Sequence, residues 1–401
     1  MKIGIILATC PGYSETFFNS KIKGLIENGM EVTLFCQKKE ENFQLCPIVV
    51  APKVSANPIV MTFYFFKEFL QLLPYLNRVL KFLKLEKKEG TSLIQVVKML
   101  YLNAHLLKSK LDWLHFGFST MAIGSETVAK SIGTKMAVSL RGFDIAVYPL
   151  KHPGCYRRLW RYVDKVHTIS DDLLLLAKNH GLPESVIIEK ITPAIDINLF
   201  QAPPQDFAQT DNYIFVTTGR LHWKKGFIHI LEALALLKDK GYNFVYKIIG
   251  EGKEYERIAY AAYELGIKDR VLFLGRLSHQ EVQATLGEAD IYVQYSIQEG
   301  FCNSVLEAQA MGKLCVVSDA EGLPENVLHA KTGWVVPKHS PVLLAQRLVE
   351  IIELNSDEKL AISRNASRRV REEFNIEKQQ KKFVDFIMIL TSINNLHWFL
   401  F

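Results

Sequence analysis

QEGFCNSVLEAQAM, residues 298–311, sets two carboxylates, Glu299 and Glu307, on either side of a Gly-Phe-Cys-Asn turn that opens a short helix. The apolar run at residues 314–317 follows at once and reads as a buried strand. Ser304 as N-cap and Gly312 as the residue after the helix predict a helix over about 305–311. Were both carboxylates helical, a rise of about 1.5 Å per residue would hold them roughly 12 Å apart. That is too far for two groups acting on one bond, which retaining glycosidases keep roughly 5 Å apart. The two carboxylates must therefore meet different parts of a ligand. Between them the backbone N–H groups of Phe301, Cys302 and Asn303 emerge at a helix N-terminus, a position that favours a phosphate or sugar oxygen. A purely structural account fits the same letters: Ser304 and Glu307 have the spacing of a capping box, in which Glu307 bonds back to the Ser304 N–H.

Strand, turn and helix alternate outward from this stretch. YIFVTTGRL, a helix over 226–240, FVYKIIG, a helix from near Glu254, VLFLG, the helix SHQEVQATLGEA and IYVQYS precede it, and LCVVSD follows. The chain opens the same way, with an apolar run at 3–8, a Pro11-Gly12 turn, a helix beginning in SETFF, and a second strand at 31–35. Continuous apolar runs are typical of parallel strands covered on both faces. The alternation predicts two successive α/β units with parallel sheets. The polar, proline-bearing stretch at 196–211 reads as the linker. No G-x-G-x-x-G follows the first strand, so nicotinamide binding is not indicated.

A chain of 401 residues exceeds one compact core, and 49% hydrophobic with 22% charged residues excludes disordered or fibrous classes. The net charge of +6 and pI near 8.8 suit anionic ligands or an anionic membrane surface, and are too small to argue for nucleic acid. The six cysteines form no C-x-x-C pair and no metal-ligand spacing with histidine, which predicts free thiols in a reducing cytoplasm. MKIGIILATC reads as a first strand rather than a secretory leader, and no stretch reaches the roughly 18 uncharged apolar residues of a membrane span. Residues 59–88 are rich in aromatics and lysines, with a break at Pro74. They read as a packed helix pair with solvated lysines, or as a pair lying in a membrane interface. The expected location is cytoplasmic, with peripheral membrane contact through about 59–88. The apolar tail SINNLHWFLF is expected to pack back onto another element.

In a doubly wound sheet, ligands bind beyond the carboxyl ends of the strands. Three strand ends in the first half carry polar groups: His115 in a loop after LDWL, Arg141 and Asp144 after AVSL, and the Ser170 cap after VHTI. In the second half, GRLHWKKGF at 219–227 presents Arg220, Lys224 and Lys225 between a strand and a helix, where cations can hold a diphosphate and stabilise its charge as it leaves.

The pairing of GRLHWKKG with EGFCNSVLE, followed by SDAEGLPENV and TGWVVP, resembles the retaining glycosyltransferases of family GT4. Within these it is similar to the colanic-acid and exopolysaccharide type, which carries SETF near the first strand and RGFDI in the N-terminal domain. The resemblance spans nearly the whole chain. It implies the GT-B fold: two Rossmann-like, doubly wound parallel-sheet domains with a cleft between them. Residues 1–195 would bind the acceptor and 210–372 the nucleotide sugar, with a final helix at about 375–401 crossing back. It implies that Arg220 and Lys225 bind the donor diphosphate, that Glu299 contacts the transferred sugar and Glu307 the ribose, and that the loop around Leu277 borders the base. Gly219, Gly250 and the turn Phe301-Cys302-Asn303 complete the donor side. Gly12, Glu15, Arg141 and Asp144 fall on the acceptor side, with His115 orienting sugar hydroxyls. The chain departs from many relatives at Pro11-Gly12, where Gly-Gly is common, at Arg141-Gly142, where His-Gly is common, and at Cys302, where glycine or proline is usual.

The expected partners are a nucleotide-diphosphate sugar and a glycan or lipid-linked acceptor in bacterial-type exopolysaccharide, capsule or lipopolysaccharide biosynthesis, and no nucleic acid. No D-x-D occurs, so Arg220, Lys225 and a helix N-terminus would replace a metal's charge, and no cofactor is expected. A nucleotide-sugar epimerase of the same fold would need an acid and a base flanking the sugar, and a non-catalytic sugar-binding protein would not need the full cation set.

Overall fold

The computed structural model describes residues 1–12, 16–39, 43–201, 207 and 210–396; for residues 389–396 it describes the helical backbone alone. The chain divides into two compact units: Met1–Ile191 together with the stretch from Gln379 onward, and Thr192–Lys378.

In the first unit β1 (Lys2–Ile6), β2 (Glu31–Cys36), β3 (Ile48–Val50), β4 (Trp113–Phe116), β5 (Lys135–Leu140), β6 (Lys165–Thr168) and β7 (Ile187–Lys190) form one sheet in the order β3-β2-β1-β4-β5-β6-β7. Every pairing is parallel. Every residue of β4 and of β6 is buried, as expected of strands with helices on both faces. Helix α1 (Thr16–Glu27) buries Phe17, Phe18, Ile22 and Leu25 against this sheet. Between β3 and β4 lies a helical insertion: α2 (Pro58–Leu72), α3 (Leu76–Lys88) and α4 (Leu93–Leu102). Asn57 caps α2, its Oδ1 accepting from Ile59 N at 2.9 Å, and Pro58 takes the first helical position, where a missing N–H costs nothing. The break falls in the turn Leu73–Tyr75, which contains Pro74.

The second unit has β8 (Tyr213–Thr218), β9 (Phe244–Ile249), β10 (Val271–Gly275), β11 (Ile291–Gln294), β12 (Leu314–Ser318) and β13 (Trp334–Val336) in the order β10-β9-β8-β11-β12-β13, again all parallel. Chain order reverses between β1 and β4 in one sheet and between β8 and β11 in the other, and such reversals are where open α/β sheets place ligands.

The last helix, Ile376–Leu396, enters the first unit at Gln379, buries Phe383, Phe386 and Ile387 there, and donates from Gln380 Nε2 to Ser20 O at 3.0 Å. The tail beyond residue 396, on which the expected packing of SINNLHWFLF rests, lies outside the described residues.

Candidate active site

The reversal between β8 and β11 brings two loops together through the backbone. Past β8 the chain runs through Gly219 and Arg220 to the turn Trp223–Lys225 and then into the helix Phe227–Asp239. The Lys224 carbonyl accepts from Ile297 N at 2.7 Å, which ties the loop after β8 to the loop after β11. Gly226 has φ +67°, and a Cβ there would sit 2.0 Å from Tyr295 O, so only glycine allows this approach. Held this way, Lys225 Nζ forms an ion pair with Glu299 Oε2, both side chains 16% exposed. Ser296 Oγ donates to the same oxygen at 3.3 Å, and Lys224 Nζ donates to Gln298 Oε1 at 3.3 Å. Burial pulls the Lys225 pKa down, but the Glu299 carboxylate more than restores it and leaves the ammonium above its ordinary value. Lys224 moves the other way, lowered mainly by burial and further by Arg220 and Lys225, against the pull of Glu299.

The helix after this loop runs Asn303–Ala310, two residues earlier than the sequence predicts. Cys302 holds the N-cap position, and Asn326 brackets it: Asn326 Oδ1 accepts from Cys302 N at 3.0 Å, and Asn326 Nδ2 donates to Cys302 O at 3.0 Å. The Cys302 N–H is therefore spent inside the protein, whereas no acceptor among the described residues takes the N–H of Phe301 or Asn303. Ser304 sits in the first turn and turns its hydroxyl to Thr218 O at 3.2 Å, so the Ser304–Glu307 capping box does not form. The Glu307 carboxyl makes no hydrogen bond among the described residues, and burial pushes its pKa up to about 7. Gln298 Nε2 and Thr218 Oγ1 are buried with no partner among the described residues, and Arg220 is exposed without an ion pair among them. A buried polar group without a partner costs about 1–3 kcal/mol. Several such groups around one strand end mark a place built for something else to complete.

The remaining donor-side positions line neighbouring strand ends. Gly219 follows β8, Gly250 follows β9, and Leu277 lies half-buried in the loop after β10. Gly250 has φ +137°, and a Cβ on it would fall 2.1 Å from Gly219 O. Phe301 is buried against Phe374, ring centroids 5.7 Å apart, so its side chain belongs to the core.

The first unit treats its polar groups differently. His115 is not in a loop: β4 extends through it to Phe116, it pairs in register with Ile5 and Ala137, and its side chain is fully enclosed. His167 Nε2 donates to Ile191 O at 2.9 Å, which leaves its Nδ1 to accept from Ser139 Oγ at 2.9 Å. Ser139 Oγ then accepts from His115 Nε2 at 2.9 Å, and Lys21 Nζ donates to His115 Nδ1 at 3.0 Å. Burial, followed by Lys21, holds both histidines well below their ordinary pKa, and burial followed by Arg141 lowers Lys21. In this position His115 is enclosed within the sheet and closed into the chain from Lys21 to Ser139. Asp144 is equally closed on itself, accepting from Arg141 N, Gly142 N, Ser119 N and Ser119 Oγ at 2.9–3.2 Å. It pins the loop rather than facing an acceptor. The Arg141 guanidinium lies over the rings of Phe17, at 3.9 Å, and Phe18, at 4.9 Å. Gly12 is exposed, and Glu15 lies outside the described residues.

Sequence reading assigned no role to Glu321 or Asn326. Glu321 accepts from Glu299 N at 2.6 Å and stands 3.6 Å from Lys338, on a backbone with φ +29°. A Glu-Gly turn followed by Pro and Asn in EGLPEN is the signal that could have flagged both.

Residues 201–369, which lie within the second unit, match the family described as Glycosyl transferases group 1. The two parallel sheets together are those of the GT-B fold. Over 285 residues the chain is 28% identical to a putative colanic acid biosynthesis glycosyltransferase of Escherichia coli, covering 69% of this chain and 70% of that one. It is 27% identical over 278 residues to an amylovoran biosynthesis glycosyltransferase of Erwinia amylovora, covering 65% of this chain and 66% of the relative. Anabaena HepE, solved in complex with UDP and glucose, has the same fold at a TM-score of 0.71 and 16% identity, over 98% of this chain and 100% of that structure.

Proposed function

We propose that the protein is a retaining glycosyltransferase that moves a sugar from a nucleotide-diphosphate donor to a glycan or lipid-linked acceptor in exopolysaccharide biosynthesis. The observation that carries this reading is the strand-end region of the second unit, where Lys225 is ion-paired with Glu299 while the Glu307 carboxyl and the exposed Arg220 have no partner among the described residues. Arg220 and Lys225 meet the diphosphate, Glu299 the transferred sugar, and Glu307 the ribose hydroxyls, which can donate to a carboxyl that has no partner among the described residues. Leu277 and Gly250 border the base. The group 1 family match, and the colanic acid and amylovoran names of the relatives, support this class of chemistry and process.

The acceptor hydroxyl attacks the anomeric carbon from the face that the diphosphate leaves. Its oxygen forms the new glycosidic bond as the anomeric carbon–phosphate oxygen bond breaks, and the departing phosphate takes the hydroxyl proton. Arg220 and Lys225 stabilise the charge gathering on that phosphate, a role for which no metal is needed. Arg141 and the loop at Gly12 serve the acceptor, while His115 and Asp144 hold that side from within. The protein acts in the cytoplasm, with the exposed aromatic face of α2 and α3 on the membrane that carries a lipid-linked acceptor. Among the described residues, no helix is long and apolar enough to cross a membrane.

A thermal-shift panel of UDP, GDP, ADP and TDP and their sugars, with and without Mg²⁺, tests the reading. A ligand at 100 times its Kd adds about 2.7 kcal/mol, so one nucleotide family should raise the melting temperature without metal. Well-folded protein that answers to none of them refutes it.

A further inference from the structure

The insertion α2–α4 carries a surface that none of the described elements covers. Phe63 is 66% exposed, Phe66 64%, Leu80 60% and Ile94 84%, large apolar groups that a water-facing surface gains nothing by showing. Its charge is one-sided. Glu68 is held by Lys108 at 2.8 Å, Glu86 by Arg158 and Glu89 by Arg161, so the acids of these helices are all consumed. Lys67, Lys81, Lys84, Lys87, Lys88 and Lys98 are exposed and have no acidic partner among the described residues. Unneutralised lysines beside exposed aromatics complement an anionic bilayer surface.

Between α2 and α4 this face holds an open pocket of about 250 Å³. Met61 and Phe65 of α2 and Ile94, Val97 and Leu102 of α4 line it, with Lys98 alongside. Tyr101 also lines it, but its ring stacks on Phe65 at 5.5 Å and its hydroxyl is spent on Lys53 O. What remains is a hydrocarbon wall with one ammonium. An open apolar trough of this kind gains by covering its walls with hydrocarbon, because that removes apolar surface from water.

We infer that the cavity takes one hydrocarbon chain of an anionic lipid from the bilayer surface, with Lys98 and the neighbouring lysines on the headgroups. The inference rests on the membrane contact proposed above, and it adds a specific chain site to general adsorption. Unlike adsorption, chain capture depends on the cavity's volume and on the length of the chain.

The test uses the full chain, with dodecyl phosphate and butyl phosphate below micellar concentration as probes in a thermal-shift titration, and with phosphatidylcholine vesicles with and without phosphatidylglycerol in flotation. Dodecyl phosphate should raise the melting temperature and butyl phosphate should not. Val97→Trp, which fills the cavity, should weaken the dodecyl phosphate response at least ten-fold while leaving vesicle flotation within two-fold. Met61→Trp serves where Val97→Trp does not fold. No response to dodecyl phosphate, or an equal response in wild type and a folded filled variant, overturns the chain site. Absence of flotation alongside a normal dodecyl phosphate response would remove the membrane contact and leave the chain site standing.

Discussion

The two units share a parallel-sheet plan and an order reversal, yet they spend their strand-end polar groups in opposite ways. In the first unit Asp144 is saturated by four donors, Arg141 lies on aromatic rings, and His115 is locked into a chain from Lys21 to Ile191 O. In the second, the Glu307 carboxyl, Gln298 Nε2 and Thr218 Oγ1 lack partners among the described residues, and Arg220 stands in solvent. A protein that leaves several groups unsatisfied gives up stability unless a ligand restores the bonds. The contrast sets carboxyl and histidine groups bonded within the sheet of the first unit against a carboxyl and a guanidinium left open in the second.

The largest effect should come from the ion pair. Lys225→Ala or Glu299→Ala is expected to cut transfer by about 10²–10³-fold, the scale for removing one preorganised charge from a developing anion. Circular dichroism and a melting curve check that the fold remains. Near-normal turnover in either folded variant would erase the contrast, since the second unit's open groups would then serve nothing.

On the scaffold side, His115→Ala should cost stability, about 2–3 kcal/mol for stranding Lys21 and Ser139, with turnover per folded molecule changed only a few-fold. The same network predicts acid sensitivity. Both histidines are held below their ordinary pKa, so below about pH 6.5 the unfolded chain takes protons that the folded one refuses, and stability falls as pH falls. Urea melts at pH 7.5 and 5.5 measure it; His115→Ala should flatten the dependence. A variant that keeps its stability and loses turnover would return His115 to a catalytic role.

Much of this plan was legible in the letters. Alternating apolar runs and turns marked both parallel sheets, Pro74 marked the helix break, and GRLHWKKG with EGFCNSVLE marked the cluster that the fold assembles. His115 was misplaced because a strand buried on both faces has no apolar–polar alternation to show where it ends. The helix start was misplaced because Asn326, 24 residues further along, brackets Cys302, and local capping rules do not register a partner that distant. Glu321 was missed for the same reason: its link to Glu299 N exists only once β12 lies beside β11.

A smaller effect should separate binding from stability at Glu307. Its carboxyl titrates near pH 7 when folded and near the ordinary carboxylate value when unfolded, so the free protein loses stability as pH rises between those values. Glu307→Gln removes that penalty and should stabilise the free protein at pH 8 by on the order of 2 kcal/mol, while weakening nucleotide binding about ten-fold. Wild-type affinity should rise through pH 7, when the carboxylate forms, and the variant's should not. A destabilised Glu307→Gln would mean that the carboxylate already has a structural partner, and the second unit would then look as self-contained as the first.

The smallest effect concerns where the helix begins, and with it which N–H groups face a ligand. With Cys302 at the N-cap and no capping side chain, Cys302→Ser should gain a few tenths of a kcal/mol to about 1, because serine oxygen is the better acceptor for the first turn. Ser304→Ala should lose only about 0.5–1.5 kcal/mol, the value of one hydrogen bond, here to Thr218 O. A helix starting at Val305 would reverse the pattern: Ser304→Ala would carry the full capping loss and Cys302→Ser would be neutral or harmful in its buried position. The pair of melting temperatures thus distinguishes a helix whose first turn offers the Asn303 N–H outward from one that begins two residues later and leaves Asn303 in the preceding loop, and only the first sets that N–H at a helix N-terminus open to a phosphate or sugar oxygen.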